Sequence, residues 1–516
     1  MSSTTNPPVA VRFRGAMRTA IAAGTAFLAL TAACSRGNAG QAAPGASTQA
    51  PKPDVATVVE LPDPAPAIDF APISTLINDA IAADKLPGAV VLIGHGGRIA
   101  FHRAYGSRKL TGEPGLDGSP APAEPMTEDT IFDLASLTKI LATATAVMQL
   151  YEQGKVQFDD PVQRYLPDFN PANDPPRAKV TVRTLLTHTS GLPGDVNLGD
   201  PWGLEGAVPA EGIHRALTTP LESGPGQGFR YSDINFILLG ALVERVTGDT
   251  LDVYVQRHVF EPLGLQDTRY LPPAKACGPH TTLGAAIAWA PAPTGRGPDA
   301  CPAGTWSTGL LSRIAPTARD EEGRADPSRN PDLDHLLRGT VQDTTARRMG
   351  GVAGHAGVFS TARDVGVFAQ ALLDRLAGRP SEFPLEQATL QLMTAPQQPG
   401  HAPQQLEAAN AATRAAVAKR PNARDPLLAP RYPAIAGQNL RGFGWDIDTG
   451  QSTARGMLFP IGSFGHTGFT GTSLWIDPGS DTYVVLLANS IHTRGSPPMS
   501  DLRGEVATAA ARALGI

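Results

Sequence analysis

A single ammonium group inside an apolar run constrains this chain more than any other feature. In "FDLASLTKILATATAVMQLYEQGK", residues 132–155, Lys139 is the only formal charge between Asp133 and Glu152. Its neighbours are Leu, Ala, Ile, Val, Met, small hydroxyls and one Gln, which predicts a largely buried helix. Ser136 stands three residues earlier, and positions i and i+3 share a helix face, so hydroxyl and amine can meet. A serine hydroxyl becomes a nucleophile only when something takes its proton. Lysine can do so only when neutral, which its free pKa of about 10.4 forbids at pH 7 and apolar surroundings promote. Ser136 also lies near the predicted helix start, where backbone N–H groups are free and the dipole favours negative charge. Against this, S-x-x-K arises easily by chance, and a core lysine can reach solvent along its own stem. The pair needs company elsewhere in the chain.

The company is present. "FRYSDINFILLG" places Tyr231, Ser232 and Asp233 just before a strongly apolar helix, and "FGHTGFTGTSLWIDP" places His466, Thr467 and Gly468 at the start of a late strand. The ordered set of S-x-x-K, a Tyr/Ser triplet and a basic residue followed by Thr-Gly is the signature of penicillin-recognising serine hydrolases. "ASLTKI", "VTVRTLLTHTSGLP" (180–193) and "GGVAGHAGVFSTARDV" (350–365) fall in the same order as that group's blocks. On these residues the chain resembles the β-lactamase-related family, which includes class C β-lactamases, D-alanyl-D-alanine carboxypeptidases and related esterases, over roughly residues 70–515.

The resemblance implies roles. Ser136 is acylated; Lys139 and Tyr231 share a proton as the general base, a coupled pair. The backbone N–H groups of Ser136 and Phe469 form an oxyanion hole. His466 and Thr467, with Gly468, bind a substrate carboxylate or orient Tyr231, and Asp233 lies at the substrate. The acyl donor is then a D-Ala-D-Ala peptide, a β-lactam or an ester, and the leading expectation is a D-alanyl-D-alanine carboxypeptidase-like enzyme beside peptidoglycan. A carboxylesterase or weak β-lactamase of the same fold, and a penicillin sensor that is acylated without turnover, are the alternatives. No cofactor is implied.

Plainer roles compete for several of these residues. Tyr231 could be a packed aromatic, Asp233 only a helix N-cap, and His188 in "THTSG" reads as structural. His355 in "GHAGVF" mimics the basic triplet, but the strand and terminal helix follow His466. The chain also departs from the strict family triplets, with Asp233 in place of Asn and His466 in place of Lys. An ionised aspartate cannot donate a hydrogen bond. Histidine, with a free pKa of about 6.5, titrates where lysine stays charged, so activity is expected to vary with pH through His466.

The remaining sequence sets the frame. Ile73, Leu76, Ile77, Ala80 and Ile81 predict an amphipathic helix over 72–84. "GAVVLIGHGGRIAFHRAYG" predicts a hairpin turning at Gly96-Gly97, and "SLWIDPGSDTYVVLLAN" a second one before a final helix at about 499–514. Strands from both ends with helices between them suit an α/β sheet domain with a helical region inserted, and the resemblance implies the β-lactamase/transpeptidase type. That fold is an antiparallel sheet flanked by helices plus a mostly helical inserted region, with the active site between them. The catalytic domain spans 67–516, its sheet part 67–125 and 350–516 and its helical part 126–349. Segments 291–335 and 395–435 read as surface insertions.

Arg12, Arg14 and Arg18 precede the short apolar run Thr19–Ala33, so residues 1–33 read as an export signal that ends at Cys34. "LTAA" before Cys34 resembles a lipoprotein cleavage site, with Thr31 where Leu is usual. Residues 34–66 then read as an Ala/Pro-rich tether. The expectation is a periplasmic protein, anchored to membrane through lipid if Cys34 is modified. In an oxidising compartment Cys277 and Cys301 either close a loop, stabilising by about 3 kcal/mol, or remain thiols. A net charge of -5 without a basic stripe argues against nucleic acid. No G-x-S-x-G elbow, H-E-x-x-H, paired C-x-x-C or phosphate loop is present, so no metal site is expected.

Overall fold

Isoleucines 73 and 77 and Ala80 recur at helical spacing, and all three are buried along helix α1, Ala71–Ala82. The chain then enters strand β1 (Gly88–His95) and returns as β2 (Arg98–Lys109). Gly96 (φ 58°) and Gly97 (φ 77°) make this turn, where left-handed backbone favours glycine. The computed structural model describes residues 68–291, 301–418, 432–496 and 498–516. The expected export signal, the 34–66 tether and Cys34 lie outside them.

The main sheet has eight strands. Five more of them are β3 (Glu124–Pro125), β4 (Leu440–Arg441), β5 (Asp446–Asp448), β6 (Phe464–Thr467) and β7 (Ser473–Asp477), and the last is β8 (Thr482–Ala488). Their spatial order is β4-β5-β6-β7-β8-β1-β2-β3, so the first and last parts of the chain meet where β1 pairs antiparallel with β8, Val90 opposite Leu487 and Leu92 opposite Val485.

Alternation along these strands separates two cores. Val91, Ile93, Val484 and Leu486 face α1 and the terminal helix, where Ile73, Ile77, Val506 and Ala510 are buried with them. Val90, Leu92, Val485 and Leu487 belong to the larger core on the opposite face, with Phe368 and Leu372. Each such side chain contributes about 1.5–3 kcal/mol by leaving water, so a one-residue slip between β1 and β8 would expose both sets. Four helices matter beside α1: α2 (Thr145–Glu152), α3 (Asp233–Thr247), α4 (Ala362–Leu376) and α5 (Ser500–Leu514). Helix α3 is apolar on nearly every face because it runs through the larger core.

The regular structure of the inserted region is mostly helical, as expected, and adds the short strands Arg269–Tyr270, Ala276–Cys277, Thr281–Leu283, Ala286–Trp289, Trp306–Ser307, Ala318–Arg319 and Leu336–Leu337. Runs of two to four residues are too brief to show alternation. One expectation needs correction, for the Pro- and Asp-rich segments are not only surface. Trp306, Leu311 and Ile314 are buried, and Asp320 is held by Arg347 at 2.8 Å with both side chains 3% exposed. In the other segment Asn410 accepts from the Ile461 N–H at 2.9 Å and docks its helix. Cys277 and Cys301 are joined, their Cα atoms 5.8 Å apart.

Candidate active site

The short strand Phe132–Asp133 pairs with Val358–Ser360, which also pairs with Arg269–Tyr270. This fixes the chain just ahead of Ser136. Asp133 is buried and accepts from two backbone N–H groups, Ala135 at 2.9 Å and Gln342 at 2.7 Å. Burial pushes its carboxyl up to about 6 despite those bonds. Ala135 adopts φ 47°, a left-handed conformation unusual for alanine. The strained residue therefore directly precedes the half-buried Ser136, and strain of this kind gathers where a side chain must be aimed.

The expected single helix is not what carries Ser136 and Lys139. Ala135–Leu137 is a tight 3₁₀ turn, and Lys139–Ala144 is a π-helical segment that precedes α2. Just after it the Thr145 hydroxyl donates back to the Ile140 carbonyl, a bond that competes with regular helix pairing, while the Thr143 hydroxyl donates to the Gly354 carbonyl. The turn still brings the pair together: Lys139 Nζ donates to Ser136 Oγ at 2.9 Å.

Lys139 is not the neutral amine in apolar surroundings that its sequence context implied. Its side chain is fully buried, but Nζ faces Ser136 Oγ, the His355 carbonyl at 3.0 Å and Asp233 Oδ1 at 2.6 Å, with the Tyr231 hydroxyl also in reach. Burial alone would lower its pKa; the Asp233 carboxylate and Tyr231 outweigh that and hold it above the ordinary lysine value. Asp233, expected at the substrate or as an N-cap, spends its carboxylate on this ion pair; Ser232 is the cap residue. No local pattern announces this pair, because the partners are distant along the chain and an Asp at a helix start has a sufficient local reason to be there.

Tyr231 is half-buried, and its hydroxyl is in hydrogen-bond reach of both Lys139 and Ser136. Burial raises its pKa against the pull of the nearby ammonium. His188 supports the phenol from behind, with ring centroids 4.4 Å apart. His188 Nδ1 accepts from the Ser232 N–H at 3.2 Å and faces Asn235 Nδ2 at 3.2 Å. Burial, with Arg441 and Lys139 near, keeps this imidazole neutral, its pKa well below the usual histidine value. Ser232 turns away and donates to the Pro193 carbonyl at 2.6 Å. His355 contributes its main-chain oxygen, while its ring binds Asp343 at 2.8 Å.

The loop after β6 closes the other side. The Gly468 N–H donates to the Thr472 carbonyl at 2.7 Å, and its carbonyl accepts from Arg503 Nη2 on α5 at 2.6 Å. A Cβ at Gly468 would sit 2.1 Å from Thr472 Oγ1 and 2.5 Å from the Leu134 carbonyl, so only glycine fits. The Thr470 hydroxyl donates to the Asp133 carbonyl at 2.8 Å and the Thr472 hydroxyl to Leu134 at 3.0 Å. These bonds join the Phe469 loop to the turn carrying Ser136, the two backbone segments an oxyanion hole requires. Thr470, Thr472 and Arg503 escaped sequence reasoning, although "TGFTGTS" is dense in hydroxyls and glycine.

His466 is buried on β6 with its ring 6.0 Å from Tyr231. Its Nδ1 meets the Thr467 carbonyl at 2.8 Å and so carries the proton. Burial, then the charges of Arg441 and Lys139, place its pKa well below the usual histidine value. The expected titration near neutrality is therefore replaced by a fixed neutral ring. Arg441, on β4 and fully buried, donates to the Gly444 carbonyl at 3.0 Å and pairs with Asp446 at 3.6 Å. Thr467 is partly buried, and Phe469 is 72% exposed. Among the described residues, no group of His, Cys, Asp and Glu is suited to hold a metal ion.

The beta-lactamase family model matches residues 73–508. A Bacillus subtilis protein named "N-acetylmuramyl-L-alanine amidase" is 31% identical over 436 residues, 82% of this chain and 81% of the relative. An Escherichia coli K12 protein named "Putative D-alanyl-D-alanine carboxypeptidase" is 29% identical over 429 residues, covering 80% and 81%. Among solved structures, a class C beta lactamase from Rhodobacter sphaeroides superposes with a TM-score of 0.53 at 20% identity, over 86% of this chain and 99% of that one. The last supports the fold alone.

Proposed function

The chain belongs to the beta-lactamase family of serine hydrolases, and from that premise we propose that it hydrolyses an amide of peptidoglycan through an ester on Ser136. The observation that carries the reading is the convergence of Ser136 Oγ, Lys139 Nζ and the Tyr231 hydroxyl beside a braced backbone loop. The amide is the D-alanyl-D-alanine bond of a carboxypeptidase or the N-acetylmuramyl–L-alanine bond; relatives named for both cover most of the chain.

The Asp233 carboxylate and Tyr231 hold Lys139 as an ammonium with no lone pair to offer, so Tyr231 is the group that takes the Ser136 proton. Phenolate is disfavoured by burial, but the ammonium of Lys139 lies 5.0 Å from the ring centre and offsets part of that cost. The Oγ–carbonyl bond forms, the oxyanion rests on the Ser136 and Phe469 N–H groups, and the C–N bond breaks as the proton passes to the leaving amine. Water, losing a proton by the same route, then cleaves the ester and frees a carboxylic acid.

Export, a periplasmic location and lipid attachment at Cys34 belong to the same reading, with residues 1–33 removed and 34–66 as the tether. Labelled palmitate incorporated by the full chain and lost in Cys34→Ala would test the anchor. The chemistry is tested by mixing the protein with a D-Ala-D-Ala peptide, an N-acetylmuramyl dipeptide, an aryl ester and a fluorescent penicillin. Amide hydrolysis with a transient Ser136 adduct is expected. Ester turnover alone would replace the reading with an esterase, and a penicillin adduct that never decays would replace it with a sensor.

A further inference from the structure

A cavity of about 690 Å³ shares Phe469 with the oxyanion loop and Gln342, whose N–H binds Asp133, with the nucleophile's turn. It therefore borders the two segments that frame the acyl site. Its walls carry four arginines and five carboxylates, most of them paired with one another or with charges outside the wall. Arg494 Nε lies 2.6 Å from Glu321, Arg348 pairs with Glu322, and Asp320 is held by Arg347 at 2.8 Å. A polyanionic or polycationic ligand would find its charges already answered. Neutral hydroxyl and amide groups would not, because paired guanidinium and carboxylate groups retain N–H bonds and lone pairs for them. The exposed Phe469 ring at the shared edge offers a flat apolar face beside this polar wall.

We infer that this cavity is a saccharide subsite, and that the substrate is an amide whose acyl half carries an N-acetylated sugar, as in N-acetylmuramyl peptides. The inference rests on the acyl-Ser136 reading and narrows it. The sugar's hydroxyl and acetamido groups meet the ion-paired wall, its C–H face meets Phe469, and the lactyl carbonyl reaches Ser136. Acyl transfer joins that carbonyl to Oγ, breaks the C–N bond and releases the peptide amine with the proton, and hydrolysis of the ester returns N-acetylmuramic acid.

The test compares two amides with the same scissile bond, N-acetylmuramyl-L-alanyl-D-isoglutamine and N-lactoyl-L-alanyl-D-isoglutamine, by kcat/KM and intact mass. Several ordinary hydrogen bonds to the sugar predict a preference of about a hundredfold for the muramyl compound. Arg494→Ala, at a side chain 44% exposed, should reduce that preference by about tenfold or more, chiefly through KM for the muramyl compound. Equal kcat/KM for the two amides, a preference untouched by Arg494→Ala, or faster cleavage of a sugar-free D-Ala-D-Ala peptide overturns the subsite while leaving acyl-Ser136 chemistry standing. Absence of any adduct on Ser136 with every amide overturns both.

Discussion

Lys139 Nζ lies 2.6 Å from Asp233 Oδ1, the lysine side chain fully buried and the carboxylate 22% exposed. This contact decides which protonation state the site starts from. Asp233 raises the pKa of both Lys139 and Tyr231. Asp233→Asn keeps the shape and removes the charge, so both pKa values fall and the rise of kcat/KM with pH moves to lower pH. A pH–rate profile of the variant against wild type checks the direction. The same change strands a buried ammonium, at a cost of about 3 kcal/mol or more, so the melting temperature should fall as well. Lys139 has a raised folded pKa; its stabilisation is complete below the unfolded lysine value and disappears as pH rises through the folded one.

Tyr231→Phe should lower kcat by about 10²- to 10⁴-fold. The ring and its stacking on His188 survive the change, so thermal stability should move little. Retained activity in this variant would return the role of base to Lys139.

Thr470→Val and Arg503→Met each remove one brace of the Phe469 loop. The expected loss is in kcat, smaller than the 10²- to 10³-fold typical of deleting an oxyanion donor itself, with KM nearly constant. Affinity for a boronic acid, which mimics the tetrahedral state, should fall in parallel with kcat.

His466 is held neutral by burial beside Arg441 and Lys139. Between pH 5 and 8 the wild-type profile should therefore carry no limb that His466→Gln removes. A limb within that range would come from buried carboxyls that burial pushes up to about 6, such as Asp133 and Asp195; protonation of Asp133 weakens its hold on the Ala135 and Gln342 N–H groups.

The Cys277–Cys301 link closes a loop of 24 residues' separation, which predicts a loss of about 3 kcal/mol in stability on replacing both with serine. Neither cysteine lies at Ser136, so kcat should be retained. Chemical denaturation and steady-state rates read the two effects separately.

What the sequence made legible were features written locally. Apolar runs around Gly-Gly and Pro-Gly turns marked the two hairpins, helical spacing marked α1, and ordered short blocks picked out Ser136, Lys139 and Tyr231. The Asp233–Lys139 pair, the Thr470 and Thr472 braces and the Arg503 contact were illegible, since each joins residues far apart in the chain and none alters a periodic pattern. The π-helical segment was equally hidden, for Lys139–Ala144 has the composition of an ordinary helix. His466 shows the converse: its type suggested titration near neutrality, while burial beside Arg441 and Lys139 lowers its pKa well below the usual histidine value, because charge state belongs to the buried surroundings.

Intact-mass analysis of wild type and Ser136→Ala, sampled over time with an N-acetylmuramyl dipeptide and a D-Ala-D-Ala peptide, tests the central chemistry most directly. The account predicts a transient acyl adduct that maps to the peptide containing Ser136, decays with product formation, and is absent with alanine at 136. Hydrolysis that survives Ser136→Ala, or an adduct on another residue, would contradict it.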